Sequence, residues 1–269
     1  MQIGINSYSY LWNFGLEEAL EQFKQMGFRS VELMASPPHI YTPTLGEDVI
    51  RRVRQTIERL DLQLVALNPI SLDINLASVN EDVRRFTVDR YKQLIALAHE
   101  WDVPFVIVPP GRLNPLAPPD PEWIWSQAKP GYEAIIEYAE RKNVTLLLEN
   151  VPSLFIQTAE DVMRVLNELK SDHFGSVYDV ANGYMVEDPA DGIRKLGSLI
   201  RHVHLSDTRK TQWLHDVIGA GEIDFASVHQ ALEDIHFEGV CMLEVIHREP
   251  SRAIPDSVRH LESSGWLLR

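Results

Sequence analysis

Cysteine is nearly missing from this chain: Cys241 is the only one in 269 residues, so no disulfide can form within it, and a reducing compartment suits it. Lying in the apolar run GVCMLEVI, Cys241 reads as an inert core thiol rather than a nucleophile. No apolar stretch approaches the ~20 residues of a membrane span, and the opening MQIGINSYSY lacks the basic and apolar regions of an export signal. The expectation is a soluble, untargeted, cytoplasmic protein with no membrane partner. Basic charge is scarce as well: 25 Lys and Arg stand against 39 Asp and Glu, a formal net charge of -14. Nucleic-acid affinity comes from cationic side chains displacing counterions, so no nucleic-acid partner is expected. Neither a GxGxxG nor a P-loop string is present to favour a nucleotide-binding sheet.

What the chain does have is enough apolar residues, 45%, to bury a large core, and an alternating pattern along its length. Short Val-, Ile- and Leu-rich runs at 2–7, 30–34, 63–68, 105–108, 144–149, 175–180, 201–206 and 240–246 read as strands. Amphipathic stretches such as 16–26, 46–60, 81–101, 130–142, 159–170 and 225–235 lie between them and read as helices. Thr158 followed by Asp161 resembles a capping box, and Gly27 is placed to end the first helix. Eight βα units in this length fit one α/β domain over 1–269, a single (β/α)8 TIM barrel, better than an open doubly wound sheet. The proline-rich stretch 109–130 is expected to be a long active-site loop after the fourth strand. Trp123 and Trp125 within it suit a lid, an oligomer contact or packing over the rim.

The strongest chemical signal is positional. Glu149 in LLLEN, Asp179 in SVYDVAN, His204 in HVHLSD and Glu244 in CMLEV each fall at or near the C-terminal end of a different strand. In a parallel barrel those ends surround one mouth, so residues far apart in sequence converge there. Strand alternation agrees: Leu146, Leu148, Leu205 and Leu243 would face the helices while Glu149, His204 and Glu244 point inward. Carboxylates in such apolar surroundings are costly unless neutralised, and a single cation neutralises several. The expected metal ligands are therefore Glu149, Asp179, His204 and Glu244. Three oxygen donors with one imidazole favour Mn2+ or Mg2+, with Co2+ or Zn2+ also accommodated.

This ordered set, with HVHLSDT and the downstream HDVIGAGEIDF, resembles the xylose isomerase-like TIM barrel superfamily of sugar phosphate isomerases and epimerases over essentially the whole chain. The resemblance implies that Glu149 and Glu244 are catalytic acid and base as well as ligands. The departures also inform. Asn182 stands where the ketose epimerases carry a substrate-binding His, Phe155 where they carry a second Glu, and Lys210, beside Arg209, where they carry an Arg. Near-equivalence to those 3-epimerases is thus not expected. The apurinic endonucleases of the superfamily hold three zinc ions through extra histidines, and Asn182, Trp213 and Pro109 occupy positions where such ligands would be needed. The remaining substrate-binding candidates are His215, Arg112, Asn68, Tyr8 and Asn6, with Glu32 and Asp207 also near strand ends. His202, one layer deeper than His204, is expected to be a core histidine with both nitrogens satisfied.

The function expected is a metal-dependent isomerase or epimerase of a small sugar or keto-sugar derivative, working through proton abstraction next to a carbonyl and a metal-stabilised enediolate. One alternative is a metal-dependent dehydratase of an inosose or 3-dehydroshikimate-like substrate. Another is a non-catalytic sugar-binding or partner subunit. The expected partner is a small carbohydrate-like substrate, and a homo-oligomer is compatible with the sequence.

Overall fold

The alternation of short apolar runs and amphipathic stretches becomes, in the computed structural model, a closed ring of parallel strands wrapped by helices; residues 1–70 and 73–266 are described. The barrel strands are β1 Gln2–Asn6, β2 Ser30–Met34, β3 Gln63–Asn68, β4 Phe105–Val108, β5 Thr145–Glu149, β6 Phe174–Asp179, β7 Ile200–Leu205 and, after a hairpin of β8 Asp207–Arg209 and β9 Gln212–Asp216, β10 Val240–Leu243. The helices are α1 Leu16–Gln25, α2 Glu47–Arg59, α3 Glu81–Glu100, α4 Pro121–Lys142, α5 Ala159–Leu169, α6 Val180–Val186, α7 Pro189–Leu196, α8 Phe225–Asp234 and α9 Pro250–Ser263. β1 closes the ring by pairing with both β2 and β10. The expected (β/α)8 barrel is what forms.

Each helix forms for local reasons and stays for its buried face. In α1, Leu16, Ala19, Leu20 and Phe23 recur at helical spacing and are buried, and full burial of each large side chain is worth ~1.5–3 kcal/mol. Gly27 ends that helix at φ +91°, where the N–H of Phe28 reaches back to the carbonyl of Phe23. The capping box of α5 forms as the sequence indicates, with Thr158 and Asp161 bonding each other's backbone N–H. Leu146, Leu148, Leu205 and Leu243 belong to the shell between strands and helices, while Ala66, Ile107, Leu147 and Val177 fill the inside of the barrel. Cys241 is buried, and burial pushes its thiol up to about 12, as befits an unreactive core residue.

Some expectations need correction. The irregular stretch after β4 ends at Asp120, not Pro130, because α4 begins at Pro121. Asp120 accepts the N–H of Trp123 at 2.9 Å, and a proline in the first turn gives up an N–H that would have had no partner in the helix. Pro130 lies inside α4. Trp125 is consequently a buried helix residue that packs on Tyr132 and Phe155 and donates its indole N–H to Glu168 at 2.9 Å, whereas Trp123 is exposed. The last barrel strand stops at Leu243 rather than at 246, since the chain then leaves the barrel and Ile246 donates instead to the His215 carbonyl of the hairpin at 2.7 Å. The hairpin and the short helix α6 leave no clear mark in the pattern: α6, VANGYMV, is too brief to show a period.

Two register shifts position the site. Opposite β3, the shift between Val31 and Glu32 brings Glu32 level with Ala66, and opposite β6 a shift between Ser176 and Val177 brings His202 level with Val177. Ala66 and Val177 face inward, so Glu32 and His202 do as well. A one-residue slip would turn each to the opposite face.

Candidate metal centre

Glu149 ends β5, Asp179 ends β6, His204 lies near the end of β7 and Glu244 follows β10. The barrel brings these four together: each offers one ligand atom, and the atoms lie within 4.8 Å of one another, all on buried residues. His204 Nδ1 is 3.3 Å from Glu244 Oε2 and 3.8 Å from both Glu149 Oε1 and Asp179 Oδ2. Asn150 bridges the ends of β5 and β6, accepting the Asp179 N–H at 2.8 Å and donating to the Asp179 carbonyl at 3.0 Å.

Asp179 divides its oxygens between two tasks. Oδ1 caps α6 by accepting the Asn182 N–H at 2.6 Å, while Oδ2 is buried with no hydrogen-bond partner. His204 Nδ1 is also buried and without a partner. Leaving such atoms dry costs about 1–3 kcal/mol each, and both face the same small space. Three carboxylates and one imidazole with unpaired atoms aimed together fit a divalent cation by donor chemistry.

The electrostatics agree. Burial, together with the charges of Glu244 and Glu149, pushes Asp179 well above the usual carboxylate range. Burial, reinforced by Glu244, also raises Glu149. Burial opposes the charged form of Glu244, yet this carboxyl is lowered, because the charge of His204, its hydrogen bond and the charge of His215 together outweigh that burial. Burial opposes the charged form of His204, yet the charges of Glu244 and Glu32 push it well above its ordinary value. Without a cation the cluster therefore retains protons to limit its own negative charge.

Above the cluster lies a cavity of about 410 Å3 lined by Tyr8, Asn68, Glu149, Asn182, His215 and Glu244 on its polar side, and by Met34, Pro109, Trp213 and Ile246 among its apolar walls. Asn182 Nδ2 donates to Glu149 Oε1 at 3.3 Å, and its Oδ1 accepts the Trp213 indole N–H at 2.9 Å. His215 Nδ1 lies 3.0 Å from Ser206 Oγ and 3.5 Å from Glu244 Oε2, and burial lowers its pKa. Tyr8 is raised by burial and by the charges of Glu244 and Glu149, so it keeps its phenol proton.

Of the other candidates, Asn6 does not line the cavity and donates to Glu32 at 2.6 Å and to Glu244 at 3.3 Å. Arg112, Arg209 and Lys210 are exposed and do not line the cavity. Arg209 bonds the Ala220 carbonyl, Lys210 bonds the Tyr184 carbonyl and lies 4.4 Å from its ring centroid, and Arg112 is tied by its backbone to Asn75. The reason is the unforeseen hairpin: its tip carries Arg209 and Lys210 outward while β9 returns Trp213 and His215 to the mouth. Asp207 holds the hairpin in place by accepting the N–H groups of Thr208, Gly219, Gly221 and Ile223 at 2.8–3.2 Å. A Cβ at Gly221 would come within 2.1 Å of Asp207 Oδ1, so the GAGEIDF string serves this anchorage. His202 departs from expectation in one respect: Nε2 is 2.7 Å from Glu32, but Nδ1 has no partner.

The profile of the xylose isomerase-like TIM barrel family matches residues 20–264, and the chain belongs to that family. An uncharacterised protein of Methanocaldococcus jannaschii is 27% identical over 268 residues, 97% of this chain and 87% of that one. The fructoselysine 3-epimerase of Escherichia coli O157:H7 is 23% identical over 237 residues, 86% of each chain. The inosose dehydratase of Clostridium tetani is 27% identical over a shorter 151 residues, 49% of this chain and 50% of that one. Among solved structures, a D-tagatose 3-epimerase-like protein superposes with a TM-score of 0.85 at 25% identity, covering 98% of both chains. The zinc-bound IolI protein shares the fold, with a TM-score of 0.82 at 18% identity over 98% of this chain and 96% of that one.

Proposed function

We propose that this member of the xylose isomerase-like barrel family is a divalent-metal-dependent epimerase or isomerase of an uncharged keto-sugar derivative. The observation that carries the reading is a division within the cluster: Glu149 and Glu244 line the cavity, whereas Asp179 and His204 do not. Glu149 and Glu244 are thus the pair within reach of a substrate proton, and Asp179 and His204 serve mainly to hold an ion, with Mn2+ or Mg2+ suited to the donors. A divalent ion bound there supplies stabilisation of the negative charge that develops on oxygen when a neighbouring C–H loses its proton. One Glu takes that proton. The other returns one to the opposite face, which inverts the carbon, or to the former carbonyl carbon while the hydroxyl proton passes between the two oxygens, which moves the carbonyl. Tyr8, Asn68, Asn182 and His215 supply polar groups for hydroxyls, and the apolar walls limit water.

Among the described residues no Lys or Arg lines the cavity, which favours a substrate without phosphate or carboxylate. The epimerase names of the relatives are consistent with this chemistry. Incubation with a panel of keto-sugars and inososes in heavy water with added Mn2+ tests it: deuterium should enter one substrate carbon in a product of unchanged composition. Absence of exchange across the panel by metal-loaded protein would reject the reading. The dehydratase relative supports a second reading, elimination of a β-hydroxyl after the same proton abstraction. A product lighter by one water would select it.

A further inference from the structure

We infer that Glu32 is a positioning residue for the metal centre, acting through His204, Asn6 and Asn68 rather than on substrate; the inference rests on the metal reading above. Glu32 is wholly buried, with no Lys or Arg beside it among the described residues. Instead its carboxylate accepts from two amides, Asn6 Nδ2 at 2.6 Å and Asn68 Nδ2 at 2.9 Å, and lies within hydrogen-bond distance of two ring nitrogens, His202 Nε2 at 2.7 Å and His204 Nε2 at 3.1 Å. An ionised carboxylate only accepts, so the His204 nitrogen facing it must carry the hydrogen. The lone pair of the neutral ring then resides on Nδ1, the atom that faces Glu149, Asp179 and Glu244 and has no other partner. Histidine ligands of metals are commonly fixed this way by a carboxylate behind them.

The same carboxylate aims a second ligand. Asn6 and Asn68 each reach from Glu32 to Glu244, with Nδ2 at 3.3 Å and 3.2 Å from Glu244 Oε1. Both amides are held with their donor end toward the two acids, so Oε1 of Glu244 is occupied and Oε2 is left toward His204. The grouping of Glu32, His202 and His204 also has the composition of a second metal site. That alternative is disfavoured because the atoms facing one another are already at hydrogen-bond distance, 2.7 and 3.1 Å.

Glu32→Gln tests the proposal because it preserves size while presenting one acceptor and two donor hydrogens to four N–H groups. A donor facing His204 Nε2 forces the ring hydrogen to Nδ1, toward the ligands. With circular dichroism as the control for folding, Zn2+ affinity measured by competition with a chromophoric chelator should fall 10–100-fold relative to wild type. A second measurement needs no variant: in Zn2+-loaded wild type, the His204 Nε2–H should resonate far downfield and exchange slowly, as a proton held by a buried carboxylate does. A carboxylate that merely filled space would leave that proton without such a hydrogen bond. Affinity of Glu32→Gln within threefold of wild type, or a rapidly exchanging Nε2–H without a downfield shift, would overturn the role of Glu32 alone. A wild type that takes up no Zn2+ would overturn the metal reading and this inference with it.

Discussion

Glu32 and Asp179 are both carboxylates buried inside the barrel with no Lys or Arg partner among the described residues, yet they are treated in opposite ways. Glu32, under the pull of burial toward the neutral form, is nevertheless held well below the usual carboxylate range by the charge of His204 and hydrogen bonds from His202 and His204. Asp179 receives one backbone N–H on Oδ1 and nothing on Oδ2, and is pushed well above that range. The carboxylate of Glu32 is satisfied by the protein itself. The layer around Asp179, a few residues higher on the strands, is left to be completed from outside. An unpaired charge is expensive where water is excluded, so the contrast separates scaffold from site without reference to sequence similarity.

The largest effects should come from the two carboxylates of the upper layer that face the cavity. Glu149→Gln and Glu244→Gln keep size and one oxygen donor but remove the base, and each should lower kcat by at least ~10²-fold. Rates at saturating Mn2+, with metal content measured in parallel, check this; near wild-type turnover by both would return them to a ligand role only. Next, Asp179→Asn keeps the oxygen that caps α6 and removes the unpaired charge. Its metal affinity should fall by roughly ten- to a hundredfold or more, while the metal-free protein melts no lower than wild type. Calorimetry with and without Mn2+ shows both, and a lower melting temperature of the metal-free variant would erase the contrast with Glu32.

Acidity sharpens the comparison further. Groups raised in the folded state, here Asp179, Glu149 and His204, contribute stability that is present below their unfolded pKa values and lost as pH rises through their folded ones. Glu32 and Glu244 are lowered, so their contribution is present above the unfolded carboxylate value of ~4.3 and is lost as pH falls. Between about pH 5 and pH 8 the upper layer should therefore make the metal-free protein less stable as pH rises. A bound divalent ion should remove that slope, stabilising by about 2.7 kcal/mol at a hundred times its Kd. Denaturant titrations across that window, with chelator or with Mn2+, measure it; equal slopes in both would count against a cation in the cluster.

Smaller effects belong to parts remote from either layer. Thr158→Ala removes the cap of α5 and should cost ~1 kcal/mol of stability with metal affinity unchanged. Lys210→Ala and Arg209→Ala, outside the cavity, should alter stability by less than ~0.5 kcal/mol and leave KM within about twofold, equivalent to ~0.4 kcal/mol. A larger rise in KM would restore the cationic substrate contact that the sequence suggests.

The sequence by itself determined the barrel and the four-residue cluster, because both follow from local and periodic properties. Alternation fixes which face of a strand Leu148 and Glu149 occupy, and parallel βα order fixes that Glu149, Asp179, His204 and Glu244 stand at the same end. The start of α4 is not legible in the sequence because proline punctuates a chain ambiguously: Pro121 opens a helix and Pro130 sits inside the same one. The tertiary structure alone decided which neighbours of the cluster touch it. Arg209 and His215 look equally eligible in sequence, but the hairpin anchored by Asp207 sends one outward and the other to the mouth. Glu32 likewise could be read as one more acid near a strand end. Its place beneath the ligands depends on two register shifts and on four N–H groups contributed by β1, β3 and β7, and such convergence is a property of packing that no local run of residues encodes.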